Sequence, residues 1–171
     1  MTEFDGFVRL DSLPKNLLRE LIDETRAIKT DPPTDEPLRR ATLGTVYQKR
    51  STRTRVSFEA GMNTLGGDAV FLSSDDIQLG RGETIGDTAR ALSRYVDGLM
   101  ARVGAHDDIE KLDEYASVPV INGLSDFNHP CQALADADHR EEAKGELGDL
   151  RFAWLGDGNN VCHALLHVPP R

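Results

Sequence analysis

No stretch of this chain approaches the roughly 20 consecutive apolar residues that a membrane-spanning helix needs, so a helical span is excluded. Its opening residues, Met1-Thr2-Glu3-Phe4-Asp5, are acidic where a secretory signal begins basic and then turns apolar. A cytoplasmic location is therefore the expectation. Cysteine is scarce. Cys131 and Cys162 have neither CxxC nor His/Cys ligand spacing, which argues against a disulfide scaffold or a zinc site and for two free thiols. Basic charge is short as well: Lys and Arg number 20 against 29 Asp and Glu, a formal net charge of −9. Such a field repels polyphosphate backbones and anionic lipid, so nucleic acid and membrane surfaces are poor partners. Internal repeats and low-complexity segments are also missing.

What is present fits one domain, or a domain and a fragment: 171 residues, of which 39% are hydrophobic, enough to bury a core. The acid excess sits in runs such as Asp75-Asp76 and Asp107-Asp108, and Arg outnumbers Lys, a balance suited to a high-salt cytoplasm. Ser12-Leu13-Pro14 reads as a helix start, with Ser12 as cap, followed by Leu17, Leu18, Leu21, Ile22 and Ile28 at helical spacing. The polar, Pro-broken stretch 30–37 is a connection within the domain. Strand-like runs are then expected at 42–47, 68–72, 98–103, 118–121 and 151–155, alternating with helices at 54–65, 84–96, 108–115 and 130–143. Such alternation predicts an α/β layer with a largely parallel sheet, whose ligands sit at the carboxyl ends of the strands.

Two strand-end segments carry the candidate chemistry. Lys49-Arg50-Ser51-Thr52-Arg53-Thr54-Arg55 follows a predicted strand and opens a predicted helix, so hydroxyls, unpaired helix N–H groups and guanidinium forks converge on one anion site. Alone, the same residues also read as a capped helix with solvated arginines. Asp126-Phe127-Asn128-His129-Pro130-Cys131-Gln132 again leads a loop into a helix, with Pro at its first position. There His129 can donate to an oxygen and Gln132, one turn on, can read an amide or amine beside it. His129 by itself also fits a structural hydrogen-bonding role. A third turn, Gly156-Asp157-Gly158-Asn159-Asn160, resembles half of a dinucleotide fingerprint, but Val161 stands where a third glycine belongs.

Taken in order and spacing, Ser51-Thr52-Arg53-Thr54-Arg55, His129-Pro130-Cys131-Gln132 and Gly156-Asp157-Gly158-Asn159-Asn160 resemble the ornithine carbamoyltransferases, from the first helix to about Leu166. The first two motifs are similar to those of carbamoyltransferases as a whole. GDGNN stands in place of the GDLxxGR-type segment of the aspartate enzymes, and aspartate carbamoyltransferase is the alternative within the family. The resemblance implies a carbamoyl phosphate-binding parallel α/β domain with helices on both faces, at 1–148 and including an interdomain helix at 130–143. It implies the first strand and helix start of a truncated ornithine-binding α/β domain at 149–171. It further implies transfer of a carbamoyl group from carbamoyl phosphate to the δ-amine of L-ornithine, giving citrulline and phosphate in arginine metabolism, with no cofactor and no metal.

By the same resemblance Ser51, Thr52, Arg53 and Thr54 hold the phosphate, and Arg102 spans the phosphate and the carbonyl oxygen. His129 and Gln132 meet the carbonyl oxygen and the amide nitrogen, Arg102 and His129 being the catalytic pair. Gln78, in Ser74–Gly80, enters the neighbouring subunit's site in a homotrimer or a multiple of trimers. Asn160, and with it Asn159, binds the amino-acid end of ornithine. Read alone, Arg102 is a surface residue closing a strand, 74–80 an exposed acidic turn, and Asn159-Asn160 a turn former.

Full-length members continue into a second domain carrying DxxxSMG and HCLP motifs, which this sequence does not contain. Cys131 and Cys162 do not match the HCLP cysteine. The alternative of a different class is therefore a non-catalytic remnant that binds phosphate or associates with an intact subunit. On that basis Phe152, Trp154, Leu165 and Leu166 are expected to lack packing partners.

Overall fold

The computed structural model describes residues 6–74, 77, 82–145, 147–149 and 151–168. Five strands form one parallel sheet: β1 (Gly6–Phe7), β2 (Thr42–Tyr47), β3 (Asp68–Ser73), β4 (Gly98–Arg102) and β5 (Val120–Leu124), in the order β1-β5-β4-β2-β3. The central strands are apolar on both faces, as a doubly covered sheet requires. Alternation along them sorts side chains into two cores. Val46, Leu99, Ala101, Val103 and Val120 pack with Ile109 and Leu112, whereas Leu43, Tyr47 and Met100 pack with Met62.

The first core is closed by α3 (Ile85–Leu92) and α4 (His106–Tyr115), and the second by α2 (Thr52–Thr64). A third core joins Phe7, Leu10, Leu18, Ala133 and Ala164, bringing α1 (Lys15–Thr30), α5 (Pro130–Lys144) and α6 (Asn160–Leu165) together beside β1. Ion pairs lace α1 to α5: Arg19 to Glu141 at 2.6 Å, and Arg26 to Asp138 at 3.0 Å and to Glu141 at 2.9 Å. Glu141 is held below its ordinary carboxylate range by its hydrogen bond from Arg19, with Arg26 adding to the effect against the cost of burial.

Several expectations need correction. β1 has no counterpart in the sequence reading, since two residues give no periodicity and it exists only through pairing with Val120 and Ile121. Ser12 does not cap α1; its hydroxyl donates to the Arg9 carbonyl, and Pro14 occupies the cap position. β5 begins and ends later than 118–121. The expected strand at 151–155 is not a strand among the described residues, because no neighbouring strand meets its backbone. Phe152, Trp154 and Leu155 are exposed there.

The outcome for α6 differs. Ala164 is fully buried and Leu165 packs against the same core, so of that helix's end only Leu166 is left exposed. The sequence expectation fails for Leu165, because α6 packs on α5, and holds for Leu166.

Candidate active site

The chain leaves β2 through α2 toward β3 on one side, and leaves β4 through α4 toward β5 on the other. Their connections diverge, so a crevice opens at the carboxyl ends of β2 and β4, the position where open parallel sheets bind ligands. Register places Tyr47 opposite Arg102 at this edge. Between β4 and β5 the register slips, Ala101 facing Asn122 and Arg102 facing Leu124, so Gly123 is the extra residue of a bulge. A Cβ at Gly123 would collide with the Met100 sulfur, which is why glycine stands there.

Ser51 adopts an extended conformation and its Oγ accepts the Thr54 N–H at 3.3 Å, capping α2. Arg102 Nη1 donates to Thr54 Oγ1 at 3.2 Å, joining the end of β4 to the first turn of α2. The Nε of Arg102 is buried without a hydrogen-bond partner, and among the described residues no carboxylate lies within ion-pair distance of its guanidinium. Thr52 and Arg53 are exposed on the first turn. Arg55 is stacked 3.7 Å over the Phe71 ring and paired with Glu59 at 2.8 Å. An open cleft of about 460 Å³ adjoins the α2 start, lined by Lys49, Arg50, Ser51 and Thr52 among others.

His129 precedes Pro130, the first residue of α5. Burial, and after it the charge of Arg102, pushes its imidazole down to about 4, with Asp136 acting in the opposite direction. It is therefore neutral near pH 7 and carries a single N–H. Nδ1 is buried without a hydrogen-bond partner. An N–H there would be stranded, so the hydrogen belongs on Nε2. Gln132 is exposed and donates to Asp136 at 2.9 Å, one turn along α5. The Cys131 thiol is pushed up to about 12 by burial, far from nucleophilic use.

Asn159 caps α6, accepting the N–H groups of Val161 and Cys162 at 3.0 Å each, and Asn160 Nδ2 donates to the Ser125 carbonyl at 2.7 Å. Gln78 lies outside the described residues. Hydrogen bonds and charge thus unite Ser51, Thr54, Arg102 and His129, while Asn159 and Asn160 engage α6 and the Ser125 loop.

Sequence reasoning missed Gln48, whose Oε1 accepts the Gly104 N–H at 2.8 Å and whose Nε2 donates to Asp108 at 2.9 Å, tying the β2 and β4 loops. It also missed the buried cluster Asn122, Ser125 and Asn128. Their signal was present as polar residues spaced three apart in and just beyond an otherwise apolar strand.

Comparison with known proteins places this geometry. Residues 6–142 match the family model of the aspartate/ornithine carbamoyltransferase carbamoyl-P binding domain. The chain is similar to the ornithine carbamoyltransferase of Pyrococcus horikoshii, 63% identical over 125 residues that make up 73% of this chain and 39% of that protein. It is also similar to that of Methanosarcina mazei, 49% identical over 160 residues, 92% of this chain and 53% of that protein. The solved ornithine carbamoyltransferase of Pyrococcus furiosus superposes with a TM-score of 0.89 at 48% identity, covering 95% of this chain and 53% of that one. The chain thus spans about half the length of the relatives it matches, or less.

Proposed function

The chain belongs to the aspartate/ornithine carbamoyltransferase family, and on that premise we propose that the crevice between β2 and β4 binds carbamoyl phosphate for transfer of its carbamoyl group to the δ-amine of ornithine. The observation that carries the reading is Arg102, a guanidinium with a buried, unpartnered Nε and, among the described residues, no carboxylate beside it, joined to the start of a helix at Thr54. A cation in that setting is costly unless an anion completes it. The free N–H groups of α2, the Thr52 hydroxyl and Arg53 supply the remaining phosphate donors.

Attack by an amine builds negative charge on the carbamoyl oxygen and then on the departing phosphate. Donors fixed beforehand at both places lower the barrier. Neutral His129, with hydrogen on Nε2, is the donor suited to the oxygen, and Arg102 lies between the two charges. Gln132 fits the amide nitrogen once it leaves Asp136. The substrate amine must be neutral although its ordinary pKa is near that of lysine, about 10.4, so exclusion of water from the closed site favours reaction. Assembly as a homotrimer or a multiple of trimers, with Gln78 entering a neighbour's site, and residence in the cytoplasm belong to the same proposal, as does ornithine recognition by Asn160 and Asn159.

For the 171-residue chain by itself a second reading has its own support: a phosphate-binding remnant without turnover. Phe152, Trp154 and Leu155 are exposed on a segment with no strand partner, and the chain spans about half of its relatives. Catalysis needs the amine held within about 3–3.5 Å of the carbamoyl carbon. Phosphate titration followed by amide NMR should first shift residues 51–54. Shifts centred on 156–160 would move the anion to the wrong loop and refute the assignment. Citrulline formation by the purified chain, abolished by Arg53→Ala, would discard the remnant reading.

A further inference from the structure

Deepening the assignment of His129 and resting on it, we propose that His106 is a positioning residue that sets the loop delivering His129 to the carbamoyl oxygen. His106 opens α4, on the loop that follows Arg102, and is almost fully buried. Its Nδ1 shares a 2.7 Å hydrogen bond with the Ser125 hydroxyl. Ser125 has no exposure, and its Oγ also accepts the Asn128 N–H at 3.1 Å and lies 3.2 Å from the Asn128 carbonyl. The Ser125 N–H closes the turn onto the same carbonyl at 2.9 Å. Asn128 is the residue immediately before His129, so the turn's geometry is transmitted through one peptide unit.

The loop is held from the α4 side a second time. Asp126 Oδ1 accepts the His106 N–H at 2.8 Å and the Asp126 N–H donates to the Gly104 carbonyl at 3.2 Å. Phe127 lies against the His106 ring, centroids 5.2 Å apart. His106 Nε2 lies 3.5 Å from a Glu110 oxygen but is buried without a hydrogen-bond partner, so Ser125, His106 and Glu110 do not make a hydrolytic triad. Nucleophilic use is excluded by the burial of the Ser125 oxygen and by the Asn128 N–H bound to it. What the arrangement can do is fix a turn. The loops after β4 and β5 carry Arg102 and His129 respectively, and His106 is the side chain that bonds one to the other from within the buried layer.

The probes are phosphonoacetamide, which pairs a carbamoyl-like amide with a phosphonate dianion, and methylphosphonate, which keeps the dianion alone. Binding to the 171-residue chain is measured by NMR with the His129 ring signals resolved. In the unmodified chain phosphonoacetamide should bind about tenfold more tightly than methylphosphonate, the scale of one well-made hydrogen bond, and should shift His129. His106→Leu should remove most of that preference while leaving methylphosphonate affinity within about twofold, since the phosphate donors are elsewhere. His106→Asn, whose amide reaches the Nδ1 position, should restore it. Ser125→Ala serves if the Leu variant does not fold, with the same expected loss. Preference and His129 shifts unchanged in His106→Leu or Ser125→Ala would overturn the inference alone, as would equal losses for both probes. A His129 that never responds to phosphonoacetamide in the unmodified chain, while 51–54 do, would overturn the reading of His129 and this inference with it.

Discussion

Two strand-to-helix junctions face the same crevice and are built on opposite principles. At the start of α2 the side chains are cationic or hydroxylic, with Thr52 and Arg53 exposed, and Arg102 reaches in with no counter-ion among the described residues. At the start of α5 the loop keeps Ser125 and Asn128 buried while Asp126 and Phe127 face outward, and its turn is held by hydrogen bonds through Ser125, Asn128 and His106. The first junction holds a cation that an anion would complete, whereas the second holds neutral polar groups, the Asn128 side-chain amide and His129 Nδ1 among them buried without partners, and presents one neutral imidazole. A dianion is drawn in by an uncompensated cation and the free N–H groups of a helix start. A developing oxyanion needs a donor that is already in place.

The comparison is sharpest where chemistry depends on it. In a full-length relative carrying residues 6–168 of this chain, His129→Ala should lower turnover by about 10²-fold, the scale for one oxyanion donor, with phosphate affinity unchanged. Steady-state rates and phosphate inhibition constants measure the two quantities, and a large change in the second would erase the distinction between the junctions.

Next in size is Arg102→Met. Phosphate affinity of the chain should fall by about tenfold or more, the loss of a charge-assisted bond of about 1.5–3 kcal/mol, and calorimetry reads it directly. Without phosphate the variant should melt no lower than the parent, because an unpaired, half-buried cation is replaced by an apolar group of similar length. A markedly lower melting temperature without ligand would mean that Arg102 has a structural partner beyond Thr54.

Smaller effects separate the two serines. Ser125→Ala should cost about 1–3 kcal/mol in urea unfolding, since it leaves the Asn128 N–H buried and unpaired. Ser51→Ala should cost about 1 kcal/mol, an ordinary cap loss at a helix start that water can reach. Equal costs would contradict the contrast between a closed and an open junction.

The remaining effect is in pH. His129 has a folded value of about 4, below its ordinary 6.5, so between these values the unfolded chain binds more protons. Its contribution to stability is therefore complete above 6.5 and is lost as pH falls toward 4. Arg102→Met should raise the value measured by NMR, yet leave it below 6.5 because burial is the larger cause. A value at or above 6.5 in the parent chain would show an exposed imidazole.

Much of this molecule was legible in its residues. β2 was read to the residue, because β-branched and apolar side chains run between polar turns, while α2, expected at 54–65, runs from Thr52 to Thr64, its start two residues earlier at the Ser51 cap. α4 was read two residues short, since its first N–H is satisfied by Asp126 from another loop and not by a local cap. α6 was expected to hang free and is packed, and 151–155 was expected as a strand and is not. Both depend on which distant surface is nearby, and periodicity along the chain carries no such information.

The sequence by itself determined the alternation of strands and helices, the chemistry gathered at Ser51–Thr54, and the candidacy of His129, because local spacing and residue type suffice for each. Tertiary structure alone decided that Arg102 meets Thr54, that His129 stays neutral, and that His106 and Ser125 join two loops. Those outcomes arise from strand order β1-β5-β4-β2-β3, which sends successive helices to opposite sides of one crevice and brings together residues 48 positions apart. Hydrogen bonds and desolvation act through space, so their partners appear only once the chain has folded.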